Sequence, residues 1–162
     1  MASLVKHSAG FGGSGLTWTS CGFTASDFNS RADGSVVVAA TAITNATDLD
    51  ILIDVSMQAE VGGTTAVTSY FSLYLLPLQQ DGATYGDGVA TGTTAPAVTY
   101  WKKNCYVKSG VTSGNAVHAM FEEVTVPPGS YKLAILCKPG AALDSTAAAV
   151  VSYRTRTLNL NG

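Results

Sequence analysis

The segment Asp81–Gly88, DGATYGDG, is where the sequence first suggests site chemistry. The carboxylates of Asp81 and Asp87, with backbone carbonyl groups, could bind calcium, a cation that prefers oxygen ligands. The spacing does not fit an EF-hand loop, because Ala83 and Tyr85 occupy its third and fifth positions. Asp and Gly are also common turn residues, since Asp accepts hydrogen bonds from nearby amides and Gly adopts positive φ. We therefore interpret the segment as a connection between strands and predict no metal ligands.

A second candidate is the glycine-rich segment Gly10–Gly15, GFGGSG, which satisfies the pattern G-x-G-x-x-G. A dinucleotide site needs a strand before this pattern and a helix after it, so that backbone amides point at the pyrophosphate. Here the β-like run LTWTS follows, and the sequence has no βαβ pattern. We predict no cofactor.

General acid–base or nucleophilic catalysis would need a well-placed histidine or a recognisable nucleophile motif. The two histidines are His7, near the amino terminus, and His118, in the strand-like run AVHAMFEE. No G-x-S-x-G motif supports a Ser–His–Asp triad. We interpret His118 as an ordinary strand histidine and predict no catalytic residues and no enzyme activity.

Paired carboxylates are the remaining catalytic candidates. Glu122 and Glu123 are adjacent, so on a regular strand they are expected on opposite faces. Asp50 and Asp54 share a face, but it is the one expected to be solvated. A glycoside hydrolase with two carboxylates from distant strands stays open as an alternative without positive support.

The composition is poor in charge. Apolar residues make up 46% of the chain, but charged residues only 12%, about half the usual quarter. An uncharged exterior is typical of a subunit that packs against neighbours. The net charge is −2, and the basic residues do not cluster beyond Lys102–Lys103 and the pair Arg154 and Arg156. No nucleic-acid partner is therefore expected.

The cysteines and the amino terminus bear on the cellular compartment. Three cysteines without a C-x-x-C pair favour neither a disulfide framework nor a zinc site. Cys137 continues an alternating apolar series and is predicted to be a buried, inert thiol. The first ten residues lack the apolar region of a signal peptide, and no run is long enough to span a membrane. Synthesis in the cytoplasm and no membrane partner are expected.

Hydrophobic residues recur with a period of two. In Leu49–Val61, LDILIDVSMQAEV, alternate residues are apolar and those between them are mostly polar, which indicates a half-buried strand. Other such runs are GLTWTS, SVVVAATAIT, TSYFSLYLLPL, AVTYWKKNCYV, NAVHAMFEEVTV, SYKLAILCK and AVVSYRTRTLNL. About eight strands separated by turn residues predict an all-β fold, an antiparallel sandwich or a barrel.

Two segments depart from this alternation. The run SYFSLYLLPL is apolar on both faces, so the outer face needs cover from a loop or, as we favour, from another subunit. Residues 1–30 are rich in Gly and Ser yet carry four Phe and Trp side chains. We divide the chain into residues 1–30, a Gly-rich N-terminal arm or an irregular first strand, and residues 31–162, a single β-sandwich domain.

Two stretches carry a resemblance: LYLLPLQQDGATYGDG, Leu73–Gly88, and later VPPGSYKLAILCKPG, matched over Val126–Ile135. An aromatic-Leu-Leu-Pro run leading into an Asp-Gly/Tyr-Gly loop, and a late Pro-Gly-x-Tyr-Lys turn, resemble head decoration (cement) proteins of tailed bacteriophages. The resemblance implies a β-sandwich or jelly-roll subunit that binds the outside of the capsid and stabilises it. The implied partners are the major capsid protein and further copies of the chain, as a trimer, which we favour, or as a dimer. The implied location is the exterior of the virion.

Aromatic residues without an evident core position are candidates for the contacts of such a protein. We expect the capsid contact at Phe11, Trp18 and Phe23, and self-association at Tyr70 and Tyr74. The alternative is a carbohydrate-binding or receptor-binding β-sandwich of a virion, since sugar rings stack on aromatic faces. Exposed aromatic side chains grouped in one groove with the loop carboxylates would favour the alternative.

Overall fold

The computed structural model describes residues 6–7, 17–47, 50–93, 95–97, 99–156 and 158–159. The described residues form ten β-strands and one turn of 3-10 helix, Ala25–Phe28. The strands are β1 (Lys6–His7), β2 (Thr19–Ser20), β3 (Ser35–Asn45), β4 (Ile51–Glu60), β5 (Tyr70–Pro77), β6 (Trp101–Tyr106), β7 (Ala116–Val126), β8 (Gly129–Lys138), β9 (Val150–Arg156) and β10 (Leu158–Asn159). No helix in this part of the chain is long and apolar enough to cross a membrane.

Eight of the strands form two four-stranded antiparallel sheets that pack face to face. The first sheet has the order β2-β9-β4-β7, and the second has the order β3-β8-β5-β6. The predicted all-β sandwich of about eight strands is confirmed. The two short strands β1 and β10 pair with each other as a separate ribbon.

The strand pairs are nested along the chain. The innermost pair is β5 with β6, and around it lie β4 with β7, β3 with β8, β2 with β9 and β1 with β10. The chain therefore folds as one long hairpin of strands that rolls up into two sheets. This strand order is that of a jelly roll, a type of β-sandwich.

The core lies between the inner faces of the two sheets. In β4 the alternate residues Ile53, Val55, Met57 and Ala59 are all buried, as the period of two predicts. Facing them from the second sheet are Phe71, Leu73 and Leu75 of β5 and Leu133, Ile135 and Cys137 of β8, all fully buried or nearly so. Burial of large side chains of this kind stabilises the fold by about 1.5–3 kcal/mol each.

Residues 17–30, the described end of the segment predicted as an arm or an irregular first strand, belong to the sandwich. Thr19 and Ser20 pair with β9, and Cys21, Phe23 and Phe28 lie in the core. The chain passes close to β3 at Gly22, where an added Cβ would lie 2.0 Å from Thr41 Oγ1 and where φ is +78°. Glycine is needed at this position for both reasons.

Candidate functional site

The middle of the outer face of the first sheet is a surface without acidic or lysine and arginine side chains, which we call the neutral face. The strand register places its side chains in two rows: Ser20, Ser152, Ser56 and Met120, then Val150, Gln58 and His118. These side chains are partly or fully exposed to solvent. Uncharged groups lose less free energy than charged groups when a contact removes water from them. The neutral face is therefore suited to contact with another macromolecule.

Trp18 lies at the border of the neutral face. Its ring packs on the guanidinium group of Arg154, with 4.9 Å between Cζ and the ring centroid, and 39% of the residue is exposed. One side of the ring is thus held by a cation–π contact. The exposed part of the ring is held in place and available to a partner.

Most charged residues of this face lie at one end of the sheet, around Asp54, and Glu60 lies at the other end of β4. The carboxylate of Asp54 is fully buried and accepts hydrogen bonds from Arg154 Nε (3.0 Å), Arg156 Nε (2.7 Å) and the N–H of Glu123 (3.1 Å). Burial raises the pKa of Asp54, but the hydrogen bonds from Glu123, Arg156 and Arg154 outweigh burial and leave the pKa below its ordinary value. The expectation that Asp54 lies on a solvated surface is wrong, because the two arginine side chains cover its carboxylate.

The expectation that Glu122 and Glu123 lie on opposite faces is also wrong. The register shifts in this part of β7, where Glu123 has a φ of +56°. This extra residue is a β-bulge, and it places both carboxylates on the outer side. Arg156 Nη1 lies 3.0 Å from Glu123 Oε1, and Arg156 Nη2 lies 3.9 Å from Glu122 Oε1. The cluster joins β4, β7 and β9, and its charged groups are paired with one another.

The outer face of the second sheet is covered largely by the long connection between β5 and β6. A second apolar cluster lies here, formed by Val36, Tyr74, Leu76, Ala134 and Leu136, with Tyr85 and Val89 of the connection packed against it. The outer face of β5 thus receives its cover from a loop of the same chain. Of the two covers considered for this strand, a loop or another subunit, the loop is the one found for the part of β5 around Tyr74 and Leu76.

The segment Asp81–Gly88 is part of this covering loop, and its polar residues hold the loop together. Asp81 Oδ1 accepts hydrogen bonds from the N–H groups of Ala83 (2.9 Å) and Thr84 (2.8 Å). Asp87 Oδ2 accepts one from the N–H of Ala97 (2.8 Å), which ties the two arms of the loop together. The prediction of a connection built on Asp turns is confirmed.

Three lysines on the outer face of the second sheet each lie over a tyrosine ring. The pairs, with the distance from Nζ to the ring centroid, are Lys102 with Tyr74 (5.3 Å), Lys132 with Tyr85 (5.1 Å) and Lys138 with Tyr70 (5.8 Å). Lys132 and Tyr85 also line a shallow cleft of about 230 Å³ beside the loop. This face carries positive charge and aromatic surface, in contrast to the neutral face.

The five residues proposed for contacts lie in different environments. Phe11 lies outside the described residues. Trp18 is exposed, whereas Phe23 is in the core, 5.6 Å from the ring of Phe28. The structure does not bring these residues together in one patch, and the capsid-contact hypothesis stays a prediction.

Of the two residues proposed for self-association, Tyr70 is half-buried and Tyr74 is 2% exposed. The ring of Tyr70 makes an edge-on contact of 5.8 Å with Tyr106, which is 71% exposed. Tyr106 was not among the predicted residues, although it follows Lys102 and Asn104 at intervals of two, and this alternation indicates the polar face of the strand. The self-association hypothesis stays a prediction.

The remaining candidates for metal binding or catalysis, His118 and the cysteines, do not lie together in one site. Among the residues that the structure describes, no group of three or more His, Cys, Asp or Glu side chains could hold a metal ion. His118 is exposed on the neutral face. Burial raises the pKa of Cys21 and of Cys137 to about 12, and Cys137 is a buried thiol, as predicted.

Comparisons of the chain with protein-family models, with curated proteins and with solved structures found no match.

Proposed function

We propose that this chain is a non-enzymatic structural protein of a virion, which binds the outside of a bacteriophage capsid and stabilises it by bridging capsomers. The observation that carries the proposal is the neutral face of the first sheet, bordered by the exposed ring of Trp18. The partner is the major capsid protein, and the location is the exterior of the virion after synthesis in the host cytoplasm. The jelly-roll topology and the low charge of the chain, 12%, agree with this role.

A capsid-binding protein needs a surface that loses its water with a small free-energy penalty. It also needs an anchor, a side chain that contributes much of the binding free energy. The serine-rich row of the neutral face supplies the first, because no charged group has to lose its water there. Trp18 supplies the second, since tryptophan is among the residues most often found to dominate binding at interfaces. When one protein contacts several capsomers at once, the overall affinity is much higher than that of any single contact, so each contact can be weak.

Substitutions on the neutral face test the proposal. Ser152→Arg places a charge in the centre of the face, and we expect it to abolish co-sedimentation with undecorated capsids. Val67→Arg is the matched control, because Val67 is 88% exposed and lies in the loop between β4 and β5, outside the rows of the neutral face. Equal binding by the two variants would contradict a contact through the neutral face.

Trp18→Ala tests the anchor separately. We expect it to weaken capsid binding by about 2 kcal/mol, or about thirtyfold, as for an interface anchor. Tyr100→Ala removes an exposed ring from the other sheet and serves as the control. If Trp18→Ala binds as tightly as the control, the ring is not the anchor.

The alternative is a carbohydrate-binding or receptor-binding module, and the exposed rings of Tyr100 and Tyr106 are the observation in its favour. Sugar sites combine such rings with polar groups that fix the hydroxyls. The carboxylates of Asp81 and Asp87 already accept hydrogen bonds within the loop, which weakens this alternative. Glycan binding that is lost in Tyr106→Ala, with no binding to capsids, would favour the alternative over the capsid-binding role.

A further inference from the structure

Strand β6 forms a free edge of the second sheet. One side of β6 pairs with β5, and no described strand pairs with the other side. The opposite edge of the sheet is covered, because Gly92 donates a hydrogen bond to the carbonyl of Val36 and Val36 donates one to Thr93. An uncovered edge presents unpaired backbone groups to a further strand.

The register shows which backbone groups of β6 point to the open side. The N–H of Val107 donates to the carbonyl of Ser69 (3.0 Å), which continues the pairing of β6 with β5. In an antiparallel pair, residues bonded to the partner strand alternate with residues whose N–H and C=O groups point away. The residues of β6 that point to the open edge are therefore Lys102, Asn104 and Tyr106.

We propose that β6 pairs antiparallel with β6 of a second copy of this chain, across a two-fold axis at Asn104. The two second sheets then join into one continuous sheet. In this register Asn104 lies opposite Asn104 of the second copy, and Lys102 lies opposite Tyr106 of the second copy. Every outward backbone group of these residues finds a partner, which is the requirement for a stable strand pair.

The side chains of β6 complement a second β6 in this register. The ring of Tyr106 is 71% exposed and lies opposite Lys102 of the second copy on the same face of the sheet. There it packs on the aliphatic part of that side chain, while the ammonium group stays over Tyr74 of its own subunit. Asn104 Oδ1 accepts a hydrogen bond from Ser72 Oγ (2.6 Å), which leaves the amide Nδ2 to donate to the Asn104 side chain of the second copy. A two-fold interface needs such a self-complementary surface.

Lysines often protect an edge strand from pairing, but those of β6 are held against their own subunit. Lys103 Nζ donates to the carbonyl of Glu122 on β7 (2.8 Å), and Lys102 Nζ lies over the ring of Tyr74. The register centred on Asn104 also places Lys103 opposite Cys105 of the second copy, so that no two lysines face each other directly. Like charges directly opposite each other would be destabilising.

Asn104→Pro in the full chain tests this pairing, because the N–H that proline removes points to the open edge and not to β5. Asn104→Ala is the control, since it keeps the backbone N–H. In sedimentation equilibrium we expect the wild type and Asn104→Ala at twice the chain mass of 16.6 kDa, and Asn104→Pro at the single mass. A single mass for the wild type, a trimer, or a dimer of Asn104→Pro would overturn the proposal.

A crosslink tests the register without relying on how the proline variant folds. In a Cys105→Ser background, Asn104→Cys places two cysteines on the two-fold axis, with Cα atoms about 5.5 Å apart, within reach of a disulfide. Lys108→Cys is the control, because it lies beyond the end of β6 and far from its copy. We expect a disulfide-linked dimer for position 104 alone; none there, or equal amounts at both positions, would contradict the pairing.

This pairing uses the second sheet, whereas the proposed capsid contact uses the first. A chain that dimerises but does not bind capsids would refute the proposed function alone. A chain that binds capsids as a monomer would refute the pairing alone.

Discussion

The buried carboxylate of Asp54 on β4 accepts a hydrogen bond of 3.1 Å from the backbone N–H of Glu123, the residue that forms the bulge of β7. A non-glycine residue at positive φ is strained, and the strain persists only where surrounding contacts hold it. Asp54 supplies such a contact, and Arg154 and Arg156 bind the same carboxylate from β9. One side chain thus fixes the bulge and joins three strands at the charged end of the first sheet.

Asp54→Asn is therefore expected to destabilise the fold. The substitution removes the buried anion that Arg154 and Arg156 share, although Arg156 keeps its ion pair with Glu123. We expect a loss of about 2 kcal/mol in the free energy of unfolding. Asp50→Asn is the matched control, since Asp50 is exposed, and should change the stability by less than about 0.5 kcal/mol. Urea denaturation of the two variants measures both values, and equal stabilities would refute the role of Asp54.

The lowered pKa of Asp54 predicts a pH dependence of stability. The pKa in the folded chain lies below the unfolded value of 3.8, so the stabilising effect is complete above 3.8 and is lost as the pH falls through the folded pKa. The difference in stability between the wild type and Asp54→Asn should therefore shrink in acid. A difference that stays constant from neutral pH to well below 3.8 would contradict this account.

Tyr74→Phe should leave the stability unchanged or increase it by up to about 1 kcal/mol, because the buried Tyr74 hydroxyl has no hydrogen-bond partner. Tyr131→Phe is a matched comparison, since Tyr131 is also a buried residue but its hydroxyl donates to the carbonyl of Pro128 (3.2 Å). We expect that variant to lose about 1 kcal/mol. Thermal denaturation of both variants measures the contrast, and a larger loss for Tyr74→Phe would indicate a partner for its hydroxyl.

The three cysteines should differ in reactivity. Cys21 and Cys137 are buried, and burial raises the pKa of each thiol to about 12, so that few thiolates form at neutral pH. Cys105 is only partly buried. In a native thiol-labelling time course we expect Cys105 to react first, and all three to react at similar rates in denaturant. Labelling of Cys137 before Cys105 would contradict the burial of Cys137 in the core.

The sequence predicted the sandwich because the alternation of apolar residues is local. Ile53, Val55 and Met57 each follow the pattern that places them in the core. The nested pairing of β3 with β8 and of β4 with β7 depends on contacts between distant parts of the chain, and a single sequence carries no local signal for it.

The bulge explains why two expectations about carboxylates were wrong. One extra residue in β7 changes which side Glu123 occupies, and glutamate is not a residue type that signals positive φ. Asp54 lies at a position of β4 where the local alternation predicts an exposed residue. The arginines that bury it come from β9, about 100 residues later in the chain, so the local pattern carries no sign of them. Likewise, only the packed loop shows that Tyr74 is covered by Tyr85 and Val89 rather than by another subunit.

The proposed function places the chain on a bacteriophage capsid, and its most direct test is saturation binding of the wild-type chain to undecorated capsids, measured by co-sedimentation. The account predicts saturable binding at a fixed number of copies per capsid, with bound capsids more resistant to heat than undecorated ones. Because the neutral face carries no charge in its two central rows, the binding should depend little on salt. No binding at any salt concentration would contradict the account.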